Sequence, residues 1–153
     1  MQRLRAPGIP CCAFVAIALV AAACRHATAP SSDLAVAAAK AKGAWAAAGL
    51  TSYSFVASRS CECSVEASGP TRIVVQNGAL VSATTIVTGA SVDTSLWFDF
   101  NGLFALIERE LIEQPSLLEA SFDPTWGFPT RVKYGLVEVD AGAIIVVTEF
   151  APG

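Results

Sequence analysis

The sequence predicts an α+β fold, in which two helices pack on one face of an antiparallel sheet of about six strands. Two segments carry apolar residues at helical spacing, and six shorter segments alternate apolar with polar residues, as half-buried strands do. The predicted order is helix, three strands, helix, three strands. Short turn signals join most of the strands. Because short connections give antiparallel neighbours, the helices are left to cover one face of the sheet.

The first 23 residues have the features of a secretory signal. Arg3 and Arg5 give a positively charged start, residues 11–23 form a short apolar run, and three alanines end it. This run is shorter than the about 20 residues that a helix needs to cross a bilayer. We therefore expect residues 1–23 to be a signal peptide and the mature chain to be exported.

Residues 19–24, Leu-Val-Ala-Ala-Ala-Cys, resemble a bacterial lipobox. The resemblance implies a lipoprotein signal, with Cys24 lipidated and anchored to a bacterial membrane, at its periplasmic face or the cell surface. Ala21 departs from the pattern, which favours a larger aliphatic residue, and cleavage without lipidation is the alternative. Residues 24–32 would then form a tether, and residues 33–153 a single domain.

Charge and histidine content exclude several classes of function. The signal carries two of the ten basic residues and none of the thirteen acidic ones. The mature chain would therefore have a net charge of about −5. Nucleic acid is therefore not an expected partner. The only histidine, His26, lies in the predicted tether, where a catalytic base or metal ligand would be poorly held. We expect no enzymatic activity, no cofactor and no histidine-based metal site.

The first predicted helix spans residues 33–48. Ser32 or Asp33 is a candidate cap, Gly49 is a stop signal, and Trp45 lies on the apolar face as the expected core anchor. Three strands follow, at residues 53–65, 71–76 and 79–87. Asn77 and Gly78 join the last two, because both residues tolerate the positive φ angles of a type I′ turn.

The second predicted helix spans residues 100–114, between a cap at Asp99 and a break at Pro115. One face carries the apolar residues expected in the core, which are Phe100, Leu103, Phe104, Ile107 and Leu111. The nearby acids Glu108, Glu110 and Glu113 could be paired catalytic carboxylates, but a solvated face is the favoured interpretation.

The last three predicted strands are residues 116–122, 130–136 and 143–150, the final pair joined around residues 140–142. Residues 122–130 form an aromatic turn between the first two of them. Asp123 can accept hydrogen bonds from the backbone ahead, Pro124 fixes its own φ, and Gly127 can take a positive φ. The predicted structural turn comprises Asp123, Pro124, Trp126, Gly127, Phe128 and Pro129. Its aromatic rings should cap the core, with an exposed ligand platform as the alternative.

Cys61-Glu62-Cys63 is the chemically unusual motif of the chain. In the predicted strand both sulfurs would lie on one face, with Cα atoms near the upper limit for a disulfide, at about 6.8 Å. A strained disulfide, a pair of packed free thiols, and a redox or metal-binding pair all remain open. Zinc normally needs four ligands, and no nearby histidine or second cysteine pair supplies the rest.

The order of motifs resembles a family of bacterial lipoproteins that carry domain of unknown function 6174. The resemblance covers about residues 40–150 and rests on Trp45, Gly49-Leu50, Tyr53-Ser54-Phe55, Cys61-Glu62-Cys63, Pro70, residues 74–78, Leu103-Phe104, Ile107 and residues 122–130. Similar members often have tyrosine at positions 126 and 128, and a more acidic segment before the last strand. The resemblance implies the fold, export and anchoring, and it implies no activity.

These observations lead to two functional expectations. The first is an exported lipoprotein whose domain is a non-catalytic binding or structural component of the bacterial envelope. Its membrane partner would be reached through the lipid anchor, and a small ligand or an envelope protein would be its other partner. The alternative is a thiol redox or metal-binding protein that uses Cys61 and Cys63.

Overall fold

Six strands form one antiparallel sheet in the order β3-β2-β1-β6-β5-β4. The computed structural model describes residues 30–113, 117–136 and 141–153, so the predicted signal, Cys24 and His26 lie outside the described residues. The elements are α1 (Pro30–Ala48), β1 (Tyr53–Ser60), α2 (Val65–Ser68), β2 (Thr71–Gln76), β3 (Ala79–Thr85), α3 (Phe100–Glu113), β4 (Leu117–Phe122), β5 (Pro129–Leu136) and β6 (Ala141–Pro152).

The sheet consists of two three-stranded meanders. Strands β1 to β3 form one meander and β4 to β6 form the other, and α3 lies in the connection between them. Pairing of β1 with β6 joins the meanders at the centre of the sheet. The predicted α+β class, with two main helices and six strands in this order, is confirmed.

The predicted hairpin between β2 and β3 is confirmed. Asn77 has φ 51° and Gly78 has φ 77°, the pair of positive angles that a type I′ turn requires. The turn is also held from outside, since Gly78 donates its backbone N–H to the carbonyl of Thr51 at 2.7 Å.

Both long helices pack on the same face of the sheet. The core joins buried residues of α1 and α3 to inward-facing residues of the strands, among them Phe55, Ile73, Val132 and Ile145. The other face carries exposed ion pairs, such as Arg131 with Glu119. Of the described residues, no helix is long and apolar enough to span a membrane.

Helix α1 begins at Pro30, three residues before the predicted start, so neither Ser32 nor Asp33 is its cap. Proline is favoured in the first turn of a helix, because its missing N–H would be unpaired there anyway. The predicted anchor, Trp45, is buried and meets the rings of Tyr53 and Phe100 edge to face, each with ring centroids 5.0 Å away.

Helix α3 is capped as predicted. The carboxylate of Asp99 accepts a hydrogen bond from the N–H of Gly102 at 2.7 Å, and the hydroxyl of Tyr53 accepts one from the N–H of Phe100 at 3.3 Å. Burial, together with a smaller contribution from Asp99, raises the pKa of Tyr53 to about 12, and the hydrogen bond from Phe100 opposes that shift. The start of α3 is thus tied to the start of β1.

A bulge in β6 reverses which residues face the core. Glu149 has φ 51°, and the pairing register with β1 shifts between Ser54 and Val56. Without the extra residue, the alternation that buries Ile145 and Val147 would turn Phe150 away from the core. Instead, Phe150 packs with the core rings, and Glu149 forms an ion pair with Arg72 at 2.7 Å.

The two ends of the sheet differ in composition. At one end β1 and β3 start and β6 ends, and here the rings of Trp45, Tyr53, Phe100, Phe128 and Phe150 contact one another; we call it the aromatic end. At the other end β1, β3 and β5 finish and β2, β4 and β6 begin. We call this the cysteine end, because Cys61 and Cys63 directly follow β1.

Candidate functional site

The chain leaves the sheet before the two cysteines. Strand β1 ends at Ser60, residues 61–63 bend, and the short helix α2 begins at Val65. The predicted continuation of the strand to Val65 is therefore wrong, and so is the placement of both sulfurs on one strand face. The structure joins Cys61 to Cys63 by a disulfide with Cα atoms 5.3 Å apart, which is shorter than extended backbone allows. Closing this small ring requires the bend.

The two cysteines differ in accessibility. Cys63 is exposed, as is Glu62, whereas Cys61 is half-buried and lines a cleft at the cysteine end. The cleft has a volume of about 550 Å³. Its lining comes from the ends of four strands and comprises Ser60, Cys61, Glu62, Leu117, Lys133, Tyr134, Gly135, Gly142, Ala143 and Ile144. A disulfide that an incoming thiol could reach is thus placed beside an open concave surface.

The cleft contains one ammonium group and one carboxylate among its lining side chains. Lys133 extends from β5, and its Nζ atom lies 3.7 Å from Oε1 of Glu119 on the neighbouring strand. Glu62 comes from the bend between the cysteines. The lining thus presents one positive and one negative charge to a bound ligand.

Arg59 does not join the cysteines in the cleft. Its Nη2 atom donates to the carbonyl of Leu96 at 2.9 Å, and its guanidinium lies 5.3 Å from the ring centroid of Trp97 and 5.4 Å from that of Phe98. These cation–π contacts hold the segment before α3 against the end of β1. Within the described part of the chain, Nε of Arg59 and Nε1 of Trp97 are buried without hydrogen-bond partners.

The aromatic turn at residues 122–130 is a packed corner. One carboxylate oxygen of Asp123 accepts hydrogen bonds from the N–H groups of Thr125 and Trp126, at 2.9 and 2.7 Å. Phe128 is buried in the core, Pro129 begins β5, and Trp126 is half-buried against the ring of Phe150. These contacts favour the structural interpretation over an exposed platform.

Gly127 lets the aromatic turn approach α1. It has φ 82°, and a Cβ atom on it would lie 2.3 Å from the carbonyl oxygen of Ala41 and 2.9 Å from Cβ of Ala44. A real Cβ atom cannot be that close to a carbonyl oxygen. The sequence predicted the positive φ, but the contact with the helix required the structure.

The three acids of α3 do not converge on a site. Glu108 forms an ion pair with Lys42 at 2.6 Å, and Glu113 lies 3.9 Å from Arg109. The prediction of a solvated face is wrong for Glu110, which is buried and accepts a hydrogen bond from Arg109 at 2.6 Å. Arg109 thus provides the hydrogen-bond donor for the buried carboxylate of Glu110.

Across residues 30–113, 117–136 and 141–153, no group of three or more histidine, cysteine, aspartate or glutamate side chains is arranged to hold a metal ion. The cysteine pair by itself offers two sulfur ligands, and only in its reduced form. A site built on it would need ligands from outside this part of the chain.

Comparison with known proteins identifies the family. No curated protein and no solved structure matches the chain. Residues 37–152 match a family of unknown function, DUF6174, and this match extends from the middle of α1 to the end of β6. It includes both cysteines and the aromatic turn. The chain therefore belongs to the DUF6174 family.

Proposed function

We propose that this chain is an exported bacterial lipoprotein, anchored through Cys24, whose domain is a non-catalytic binding or structural component of the cell envelope. The observation that carries the proposal is the order of Arg3 and Arg5, the apolar residues 11–23 and the small residues directly before Cys24. The disulfide between Cys61 and Cys63 supports export, since disulfides persist mainly in oxidising compartments.

The packing of the domain supports a binding or structural role. Its most distinctive residues, Trp45 and the aromatic turn, serve the core and the corner between β4 and β5. The acids on α3 are engaged in ion pairs with neighbouring basic residues. The cleft at the cysteine end is the concave surface that a small ligand or a peptide could occupy.

The anchoring can be tested by expressing the full chain in a bacterial host supplied with an alkyne-tagged fatty acid. Cys24→Ala should abolish labelling and release the protein from the membrane fraction. Cys12→Ala, which also removes a cysteine from the N-terminal segment, is the matched control and should change neither. Intact mass of the mature protein should show cleavage before Cys24 and added acyl chains. An unlabelled protein that is cleaved at the same bond would refute the anchor.

A second candidate function is thiol–disulfide exchange, favoured by the exposure of Cys63 beside the cleft. A thiolate of a partner dithiol would attack Sγ of Cys63, and Cys61 would leave as a thiolate and take up a proton. The partner's second thiol would then displace Cys63 as a thiol, so the partner is oxidised and this pair is reduced.

The size of the disulfide ring supports this second candidate. The bridge spans a sequence separation of 2, and a loop of three residues removes little freedom from the unfolded chain. The chain-entropy relation gives about 1.6 kcal/mol for such a loop, against about 4.7 kcal/mol for a loop of 100 residues. The bridge therefore stabilises the whole fold only weakly.

Trapping of a mixed disulfide tests the exchange. In Cys61→Ser, the exposed Cys63 is first activated as a mixed disulfide with a small thiol. It should then capture a reduced thioredoxin whose second cysteine has been replaced by serine, with release of the small thiol. Cys63→Ser leaves only the half-buried Cys61 and is the matched control, with slower capture expected. Equal capture rates in the two variants, or none in either, would rule the exchange out.

A further inference from the structure

We propose that the cysteine end of the domain rests on the bilayer, with aliphatic side chains of that end inserted among the lipid headgroups. This inference depends on the proposed lipidation of Cys24 and adds to it an orientation and a contact surface. The orientation places the cleft and the disulfide at the headgroups, where a ligand or partner located at the membrane would reach them. Three observations carry it: the length of chain between Cys24 and α1, the direction of α1, and the position of the exposed aliphatic residues.

The chain between the anchor and the domain is short. Six Cα-to-Cα steps separate Cys24 from Pro30, where α1 begins. Whatever conformation these residues adopt, they span at most about 22 Å. A lipid on Cys24 therefore holds the first turn of α1 close to the bilayer surface.

Helix α1 begins toward the cysteine end. Near its C-terminus, Trp45 contacts Phe100 at the start of α3, while Lys42, one turn earlier, is paired with Glu108, two turns further along α3. The two helices are therefore antiparallel, and the start of α1 points toward the end of α3 at Glu113. Only three residues separate Glu113 from Leu117, which begins β4 at the cysteine end.

The same end carries protruding aliphatic side chains. The exposed fractions of Val65, Val87 and Ile112 are 85, 80 and 81 %, and Ile86 is also exposed. Val65 begins α2, two residues after Cys63. Ile86 and Val87 follow the end of β3, and Ile112 is in the last turn of α3. Four of the seven large aliphatic residues exposed in the described part of the chain therefore surround the end to which the anchor leads.

A bilayer is the occupant that fits these side chains. They come from three separate elements, and the fluid headgroup region of a bilayer can accommodate single valine and isoleucine side chains separately. The exposed acids Glu62 and Glu66 lie on either side of Val65 in the chain, so attraction to anionic lipids is not expected. Zwitterionic phospholipid is therefore the contacting surface.

Depth-dependent quenching tests the orientation. The full chain, matured and lipidated in the bacterial host, is labelled with an environment-sensitive fluorophore at Val87→Cys or, separately, at Ile112→Cys. The control is Thr125→Cys, an exposed position in the aromatic turn at the opposite end. The disulfide blocks Cys61 and Cys63 from labelling as long as no reductant is added. Each protein is reconstituted into phosphatidylcholine vesicles with and without bromine on the acyl chains.

We expect the probes at positions 87 and 112 to shift to shorter emission wavelength and to be quenched by the brominated lipid, while the probe at position 125 is unaffected. Lipidated protein with equal quenching at all three positions, with quenching at 125 alone, or with none, would overturn the inference and leave the anchor standing. Intact mass separates the two proposals, because a mature chain without acyl groups would refute the anchor and, with it, this orientation.

Discussion

Replacing Gly127 with alanine should be among the most damaging small substitutions in this domain. The added Cβ would sit 2.3 Å from the carbonyl oxygen of Ala41, so either the turn or α1 must move. The φ of 82° adds a second penalty of about 1–2 kcal/mol, because an L-residue crowds its own backbone there. Displacing packed backbone costs a further 1–3 kcal/mol, roughly, as in overpacked cores.

The expected loss is therefore about 2–5 kcal/mol of the free energy of unfolding, a large share of the 5–15 kcal/mol of a typical domain. Urea unfolding of residues 24–153, followed by circular dichroism, measures it. A loss of stability should appear as a lower midpoint at constant slope.

Gly89→Ala is the matched control for this prediction. Gly89 has a similar φ of 69°, but nothing lies within 4 Å of the Cβ that alanine would add. It reports the backbone penalty alone, and the difference between the two variants isolates the clash with α1. If both variants lose the same stability, the close approach of the turn to the helix does not constrain position 127.

Three further predictions concern α3, Tyr53 and the disulfide. Asp99→Ala should lower the free energy of unfolding by about 1 kcal/mol, whereas Asp99→Asn, whose amide oxygen can still cap α3, should lower it less. Chemical denaturation of both variants measures the two losses. Because burial raises the pKa of Tyr53 to about 12, above its ordinary value of 10.0, its contribution to stability is complete below pH 10 and is lost as the pH rises toward 12. A Tyr53→Phe variant with the same alkaline loss in a pH series of urea titrations would refute this. Replacing Cys61 and Cys63 with serine should cost roughly 1.5 kcal/mol by the same assay, and a loss of 4 kcal/mol would contradict the weak-constraint argument.

Local signals in the sequence predicted most of the fold. Asn77 and Gly78 specify a turn by their own backbone preferences, and Asp99 caps α3 by a hydrogen bond to a residue three positions away. Such features depend on neighbours in the chain, so a sequence suffices to find them. The alternation of apolar residues then fixed which strand faces meet the helices.

The features that the sequence did not predict depend on distant residues or on covalent closure. The end of β1 at Ser60 reflects the bridge between Cys61 and Cys63, which removes the extended spacing that the alternation suggested. Burial of Glu110 depends on the rotation of α3 about its own axis relative to the sheet and on the hydrogen bond from Arg109. The bulge at Glu149 interrupts a pattern of period two, and it is seen in the positive φ of that residue and in the pairing register with β1.

The cleft was also outside the reach of sequence reasoning. Cys61 and Lys133 lie 72 positions apart in the chain, and the sheet order brings them to one surface. The cysteine motif could be singled out because two thiols so close together are unusual. No local signal marked Lys133 or Tyr134 as its neighbours, since both fit the alternation of an ordinary strand.

The pairing of β1 with β6 has a consequence for how the domain is made. Tyr53 pairs with Pro152, so the two central strands of the sheet are about as far apart in the chain as the domain permits. Each meander can form from near neighbours, but their junction must close a loop of nearly 100 residues, which is slow. Until β6 has paired with them, β1 and β5 each have an edge without a hydrogen-bonded neighbour. A chain delivered through a membrane as an extended polymer would thus complete its sheet only after the last strand has crossed.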